Sequence, residues 1–292
     1  MEKQTAIAMI EEQGWLDEAA DKLQPAVLGA FESAGETGQA VKNFLHGKWL
    51  GHQLHPVLTD VPVGAWTVAA VLDVMELAGS EKFGPGADAA ISVGLAGAMG
   101  AAATGVTDWT ALTGSERKVG LMHGLLNVAA TALYCGSLVC RSRKARTAGI
   151  GLSMLGYTIA AGSAYLGGHL VFNQQVGVDH TADTYEYPED FTPVLAETDL
   201  GEGSMRRVDA DGVPVLLAKK DGEIFAIQEN CAHMGGPLSE GELLDDRSVR
   251  CPWHGSRFSL EDGSVLDGPS TYPQAAFDVR VNEGQIEVRK RQ

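Results

Sequence analysis

The chain from residue 231 to residue 256 reads CAHMGGPLSEGELLDDRSVRCPWHGS. One residue separates Cys231 from His233, and after a further seventeen residues two residues separate Cys251 from His254. Thiolate and imidazole are ligands that soft and borderline transition metals prefer. Two segments that each supply one cysteine and one histidine therefore predict a metal centre in the C-terminal third of the chain.

This spacing resembles the signature of Rieske proteins, in which two thiolates hold one iron of a [2Fe-2S] cluster and two imidazoles hold the other. The resemblance implies that these four residues ligate such a cluster, that Ser256 donates a hydrogen bond to it, and that Gly268-Pro269 belongs to a third loop covering it. It also implies one-electron transfer, with a redox protein or a quinone as the unidentified partner.

Zinc is the alternative occupant, because two cysteines and two histidines are also a zinc ligand set. Zinc fingers usually place two to four residues between the first two ligands, whereas a single residue separates Cys231 from His233. Short strand-like runs surround both ligand pairs, separated by Asp-Gly at 211–212, 221–222 and 262–263 and Glu-Gly at 283–284, which predicts an all-β Rieske domain over 192–292. The strand candidates are 213–217, 224–227, 248–251, 258–259 and 286–289.

Four positions near the ligands indicate which Rieske branch the chain resembles. High-potential members carry an extra disulfide-bonded cysteine in each ligand loop, where this chain has Gly236 and Trp253. It keeps the serine of that branch as Ser256 but has Phe258 in place of the tyrosine. Fewer hydrogen bonds to the cluster stabilise its reduced state less, which predicts a potential in the lower part of the Rieske range of about −150 to +300 mV.

Electrons are predicted to pass through the exposed imidazole edges of His233 and His254. Because these imidazoles can deprotonate, the potential is expected to fall at alkaline pH. Rieske oxygenases, the enzymatic alternative, need a further domain with a mononuclear iron held by two histidines and a carboxylate. Only 38 residues follow His254 and none is histidine, so the sequence predicts an electron-transfer component with no catalytic residue of its own.

Four long apolar runs precede this domain, at 61–78, 89–106, 119–140 and 148–172. Each approaches or exceeds the roughly 20 residues that a helix needs to cross a bilayer. Gly and Ala are frequent in the second and fourth runs, as in membrane helices that approach closely. A soluble helical bundle is the alternative, which Asp73 and Glu76 in the first run keep open. The net charge of −16 argues against nucleic acid as a partner.

The segments HQLHPVL at 52–58 and DVPVG at 60–64 resemble the opening of the four-helix membrane domains called DUF2231. This resemblance implies topology but no established activity. The fold class is therefore α+β multidomain: a four-span α-helical membrane bundle at 51–176, a linker at 177–191 and the all-β Rieske domain. Four spans would place both termini on one side of the membrane.

Three histidines near the ends of the predicted spans, His55, His123 and His169, are candidate ligands of a b-type haem or another metal. We take His123 and His169 as the axial pair, with His55 as the substitute. This reading leads to a rival function, a membrane oxidoreductase module passing electrons between quinone, haem and cluster. Interfacial histidines that bond to headgroups and carbonyls are the alternative. The remaining histidines outside both sites are expected at the surface: His46, His52 and His180.

Residues 1–50 show an amphipathic helical pattern without the apolar core of a signal peptide. This segment is expected to lie along the membrane surface, against the Rieske domain, or in solvent. The basic stretch RSRKAR at 141–146 favours the cytoplasm for the face opposite the Rieske domain, whereas cluster assembly favours the cytoplasm for the Rieske domain itself. We adopt the cytoplasmic Rieske domain as the expectation and leave the oligomeric state open.

Overall fold

The computed structural model describes residues 5–182 and 184–291 and divides the chain into two compact units. The first unit comprises the chain up to Val41 together with Gln53–Val176, and the second comprises Lys42–His52 together with the chain from Gly177. The division differs from the predicted domain boundaries, because residues 42–50 belong with the Rieske region and not with a separate N-terminal segment.

Helices make up the first unit, as predicted. Within the described residues they are α1 (Thr5–Glu11), α2 (Gly14–Ser33), α3 (Gly35–His46, which ends in the second unit), α4 (Leu54–Leu77), α5 (Gly84–Trp109), α6 (Gly114–Ser142) and α7 (Arg146–Phe172). Short connections join α4 to α5 and α6 to α7, so each pair forms an antiparallel hairpin. The two hairpins together form a four-helix bundle.

An internal repeat relates the two hairpins. Trp66 of α4 stacks on Tyr134 of α6, with ring centroids 4.2 Å apart and planes inclined by 19°. Trp66 and Tyr134 are 68 residues apart in the chain. Asp73 and Arg141, one of the closest pairs in the bundle, are separated by the same 68 residues. Equivalent positions of α4 and α6 therefore face each other, as expected where two similar hairpins meet about a pseudo-twofold axis.

Glycines on α5 and α7 accommodate the large rings of the preceding helix. A Cβ atom at Gly94 would lie 2.2 Å from Trp66 Nε1, and a Cβ atom at Gly156 would lie 3.2 Å from the Tyr134 ring. These two glycines are related by an offset of 62 residues, the same that joins Gly84 to Arg146. Small residues thus allow each hairpin to close tightly, as in membrane helix pairs.

Among the described residues, three helices are long and apolar enough to cross a membrane: α4, α5 and α6. Large apolar side chains such as Val71, Met99 and Val128 are exposed on them, as expected for helices that face lipid. The fourth predicted span, α7, does not reach this level within the described residues, because Gly, Ser, Thr and Tyr dilute its apolar side chains. Three candidate spans are shown, and the crossing by α7 stays a prediction.

The predicted amphipathic N-terminal segment is helical, and its first two helices pack on the ends of the bundle helices. Leu16 and Ala20 of α2 are fully buried against Trp109 and Leu121. At the rim of this contact Arg117 forms ion pairs with the Asp17 and Asp21 carboxylates at 3.0 and 2.7 Å. This contact gives the apolar stripe of α2 a partner within its own unit.

The second unit is a β-domain, which confirms the predicted fold of the C-terminal region. Its strands within the described residues are β1 (Thr192–Ala196), β2 (Met205–Ala210), β3 (Val213–Lys220), β4 (Glu223–Gln228), β5 (Glu242–Leu243), β6 (Ser248–Arg250), β7 (Arg257–Ser259), β8 (Val265–Asp267), β9 (Phe277–Asn282) and β10 (Gln285–Lys290). They form three antiparallel sheets ordered β1-β10-β9, β2-β3-β4 and β5-β6-β7-β8.

Tight hairpins set the register of two of these sheets. Asp211-Gly212 joins β2 to β3, Asp221-Gly222 joins β3 to β4, and Glu283-Gly284 joins β9 to β10, all with positive φ at both residues. Two-residue turns of this kind match the right-handed twist of the flanking strands. One apolar cluster around Leu216, Ile227 and Phe258 lies behind both cysteines, so the core of the domain supports the ligand loops directly.

Candidate metal centre

Two loops of the β-domain carry the predicted ligands and close in the same way. The first follows β4, and the second joins β6 to β7. In the first, the Gly235 N–H donates to the Cys231 carbonyl at 2.7 Å, and in the second the Gly255 N–H donates to the Cys251 carbonyl at 3.1 Å. Gly235 and Gly255 have φ values of 75° and 76°, which favour glycine and explain its place after each ligand pair.

The four side chains converge between the two loops. His233 Nδ1 lies 3.2 Å from His254 Nδ1, and the ring centroids are 4.9 Å apart. The thiols of Cys231 and Cys251 are within hydrogen-bond distance of each other. The structure thus brings all four predicted ligands together, with the two sulfurs adjacent and the two imidazole nitrogens adjacent.

Backbone N–H groups point at both sulfurs. The N–H groups of His233 and Met234 donate to Cys231 Sγ, and those of Trp253 and His254 donate to Cys251 Sγ. The hydrogen bond from the Cys231 thiol lowers the pKa of Cys251 to about 7, and the same interaction raises the pKa of Cys231. Donors around a metal-bound sulfur stabilise its negative charge and tune the potential of the centre.

Burial keeps both imidazoles in the form that can ligate. It lowers the pKa of His233 to about 3, with smaller contributions from the charged forms of His254, His46 and His180. Burial also lowers the pKa of His254. Both rings are therefore neutral at neutral pH, which a metal-binding imidazole requires.

The third predicted loop lies beside the ligand loops. Gly268-Pro269 is a cis peptide, and the Ser270 N–H next to it donates to Ser256 Oγ at 2.9 Å. Ser256 is fully buried, and by accepting this bond it keeps its own O–H available as a donor. Its hydrogen bond to a cluster remains a prediction.

Gly236 and Trp253, which stand where high-potential relatives carry cysteines, contact each other. A Cβ atom at Gly236 would lie 3.0 Å from the Trp253 ring and 3.1 Å from Cys251 Sγ. All four cysteines of the chain are free. The two thiolates, the two imidazoles and the ring of backbone donors therefore fit a [2Fe-2S] group without an accompanying disulfide.

The two histidines differ in exposure, which corrects one expectation. The sequence predicted an exposed imidazole edge, but His233 is buried, with only 6% of its surface exposed. His254 is half-buried, and the neighbouring Trp253 is 56% exposed. The open side of the centre is therefore at His254.

His46 was expected at the surface, and this prediction is wrong. Its side chain is fully buried in the second unit, and its ring carbon Cδ2 lies 3.0 Å from the position of a Cβ atom at Gly268. His180, also expected at the surface, is half-buried, and its N–H donates to the Ala232 carbonyl at 2.9 Å. Sequence reasoning missed both, because their neighbours are distant in the chain.

The membrane histidines form a different pair from the predicted one. The rings of His55 and His123 are 6.2 Å apart, at the offset of the internal repeat, whereas no described contact joins His169 to His123. Each Nδ1 atom lies 2.8 Å from a carbonyl of the following helix, that of Ala101 or Ser163. Because Asn127 Nδ2 also lies 3.1 Å from His123 Nε2, both nitrogens of this ring are engaged, and the haem alternative is not supported.

A buried charge network at the opposite end of the bundle was also missed. Arg141 bridges Asp73 and Asp88, and Arg146 bridges Asp88 and Glu76. The Asp73 and Arg141 side chains are 0% and 2% exposed. The network joins α4, α5, α6 and α7, so Asp73 and Glu76, which had favoured a soluble bundle, instead serve interhelical ion pairs.

Family models match both parts of the chain. A Rieske [2Fe-2S] domain matches residues 190–279, and a predicted membrane protein family, DUF2231, matches residues 51–180. The 3-phenylpropionate/cinnamic acid dioxygenase ferredoxin subunit of Escherichia coli (strain K12) is 39% identical over 88 residues, which are 30% of this chain and 82% of that protein.

Two further proteins each match a little more than a third of the chain. Apoptosis-inducing factor 3 of Mus musculus is 36% identical over 111 residues, and the chain spans only 18% of its length. The ferredoxin of carbazole 1,9a-dioxygenase from Nocardioides aromaticivorans IC177 is 26% identical, with a TM-score of 0.34, and the match covers 35% of this chain and 100% of that one.

Proposed function

Because this chain belongs to the Rieske [2Fe-2S] family and joins that domain to a DUF2231 membrane domain, we propose that it is a membrane-anchored one-electron carrier. One observation carries the proposal: two loops of matching geometry place two thiolates and two neutral imidazoles around one centre. When bound, the cluster takes up and releases one electron.

Each part of the site has a defined task in this function. Cys231 and Cys251 would supply the thiolates that hold one iron of the cluster, and His233 and His254 would supply the imidazoles that hold the other. The backbone N–H groups directed at the sulfurs offset their negative charge. Phe258, fully buried in the core, offers no hydroxyl where high-potential relatives have one, which supports a potential in the lower Rieske range of about −150 to +300 mV.

The partner is proposed to be a redox protein that exchanges electrons with the carrier at the membrane. The ferredoxin subunit of the dioxygenase named above supports this, since its name places it in a system with an oxygenase. We infer a terminal oxidoreductase of this general kind as the acceptor. A quinone is the second possibility, and a potential in the lower Rieske range disfavours it as the donor.

The membrane unit is proposed to cross the bilayer four times, with the Rieske domain in the cytoplasm. The internal repeat supports the fourth crossing, because α7 occupies in the second hairpin the place that α5, a candidate span, occupies in the first. The buried pairing of Arg141 and Arg146 with carboxylates supports the orientation, since it removes two arginines from the basic stretch that favoured the opposite one.

The ligand assignment is tested by replacing His233 with Cys in the full chain. We expect a changed visible and electron paramagnetic resonance (EPR) spectrum and a lower potential, because a thiolate adds negative charge where a neutral imidazole stood. His52→Cys, at an exposed histidine of the same unit, is the matched control and should leave the spectrum unchanged. A His233→Cys spectrum identical to that of the wild type would refute the assignment.

A further inference from the structure

The segment at 42–52, which precedes the membrane helices, is hydrogen-bonded to the third loop of the predicted cluster site. Asn43 makes two bonds through its side-chain amide: Nδ2 donates to Asp267 Oδ1 at 2.9 Å, and Oδ1 accepts the Gly268 N–H at 3.0 Å. Lys48 Nζ donates to the Leu266 carbonyl at 2.7 Å. Two residues of this segment thus hold three consecutive residues at the start of the third loop.

His46 lies between these two anchors and fills the space over Gly268. Its side chain is fully buried, and any side chain at Gly268 would meet its ring, since a Cβ atom there would lie 3.0 Å from Cδ2. Burying a polar imidazole has a free-energy cost that an exposed position would avoid. The close packing of the His46 ring against Gly268 therefore indicates that this side chain occupies a specific position beside the third loop.

The chain after the membrane helices covers the neighbouring loop. The His180 N–H donates to the Ala232 carbonyl between Cys231 and His233, and the Tyr272 hydroxyl donates to the Gly177 carbonyl at 3.3 Å. His233 is buried, while Trp253 next to His254 is more than half exposed. The two imidazoles that ligate equivalently are therefore shielded to different extents.

We propose that residues 42–52 form a fixed cover over the His233 side of the centre, with His46 as its positioning residue, so that electrons leave beside His254 and Trp253. The proposal rests on the proposed carrier function and adds to it the route by which the electron leaves. Electron transfer weakens steeply with separation, so a side closed by protein gives a bulky acceptor no productive approach.

The test measures oxidation of the reduced full chain in detergent by cytochrome c, a bulky one-electron acceptor. Trp253→Ala should slow the reaction severalfold in the otherwise wild-type chain. His46→Ala should open a second route, raise the rate severalfold and make Trp253→Ala nearly neutral in combination. His46→Phe, which keeps a ring over Gly268, should behave as wild type, as should Glu36→Gln, an exposed position on the same helix.

Hydrogen exchange supplies a readout that needs no electron transfer. Peptides containing 266–268 and 231–236 should exchange faster in His46→Ala and in Asn43→Ala, but not in His46→Phe. Should His46→Ala fail to hold a cluster, Asn43→Ala carries the rate comparison. Unchanged rates and exchange in these variants, with an intact EPR signal, would overturn the cover, whereas a wild-type chain without a Rieske EPR signal would overturn the carrier function itself.

Discussion

At the scale of single residues, the ligand loops are shaped by their own backbones. Each loop turns at a glycine with positive φ, bonds back to its cysteine carbonyl, and directs two N–H groups at the sulfur. His233 and His254, by contrast, owe their neutral state to burial by the surrounding protein. The backbone of each loop thus positions the hydrogen bonds to the predicted sulfur ligand. The tertiary fold, by burying the predicted imidazole ligands, keeps them neutral.

The burial of His233 predicts a pH dependence for the cluster-free protein. The pKa of His233 is about 3 in the folded chain and near 6.5 when exposed, so the unfolded state binds more protons between these values. The free energy of unfolding should therefore rise with pH across this window, by up to about 1.4 kcal/mol per pH unit, and this contribution should be lost on acidification.

The measurement is the urea dependence of amide exchange in β3, whose residues 213–218 are fully buried, over pH 4 to 8. His233→Asn should flatten the pH dependence, because its side chain does not titrate. His52→Asn, at an exposed histidine, is the control and should keep the wild-type slope. An equal slope in His233→Asn would show that other groups dominate.

At the scale of elements, the ion pairs at one end of the bundle hold the hairpins together. Asp73 Oδ2 accepts bonds from Arg141 at 2.5 Å and Ser153 at 2.6 Å, linking α4 to α6 and α7. Removing one partner of a buried pair leaves an uncompensated charge, which costs about 3–5 kcal/mol, whereas replacing both partners by apolar residues is often neutral.

This difference gives a mutant cycle. Arg141→Met should lower the thermal stability of the detergent-solubilised chain markedly, and the double variant Arg141→Met/Asp73→Leu should recover much of the loss. Arg143→Met, at an exposed arginine two residues away, is the control and should have little effect. Additive losses in the double variant would contradict a coupled buried pair.

Features that depend on short stretches of sequence could be predicted, whereas contacts between distant residues could not. The ligand spacing, the Asp-Gly hairpins and the apolar runs are local patterns, and the cluster loops, the β-domain and three candidate spans follow from them. Asn43 and His46 meet Asp267 and Gly268 across more than two hundred residues, and no short-range pattern marks such a contact. The His55–His123 pair was missed because the packing of α4 against α6, which no local pattern marks, brings the two rings together.

At the scale of the whole molecule, the two units divide the tasks. The second unit contains all four predicted ligands of the centre, together with the segment at 42–52 that we propose covers it. The helical unit has its own core and its own ion pairs, and the rings of its His55 and His123 are engaged by carbonyls. An anchor that retains an electron carrier at the membrane needs no more than this.

The number of crossings decides whether the Rieske domain and the loop between α6 and α7 lie on opposite sides of the membrane. We expect a cysteine introduced at Arg143, exposed between α6 and α7, to react with a membrane-impermeant maleimide added to intact bacterial cells expressing the chain. A cysteine at Glu202, exposed in the Rieske domain, should react only after lysis. The unsubstituted chain gives the background from its native cysteines.

Labelling of both positions in intact cells would mean that α7 does not cross, and labelling of Glu202→Cys alone would mean four crossings with the carrier outside the cytoplasm. Because three of the four helices are independently apolar enough to span, α7 alone determines whether the Rieske domain lies on the same side as the Arg143 loop.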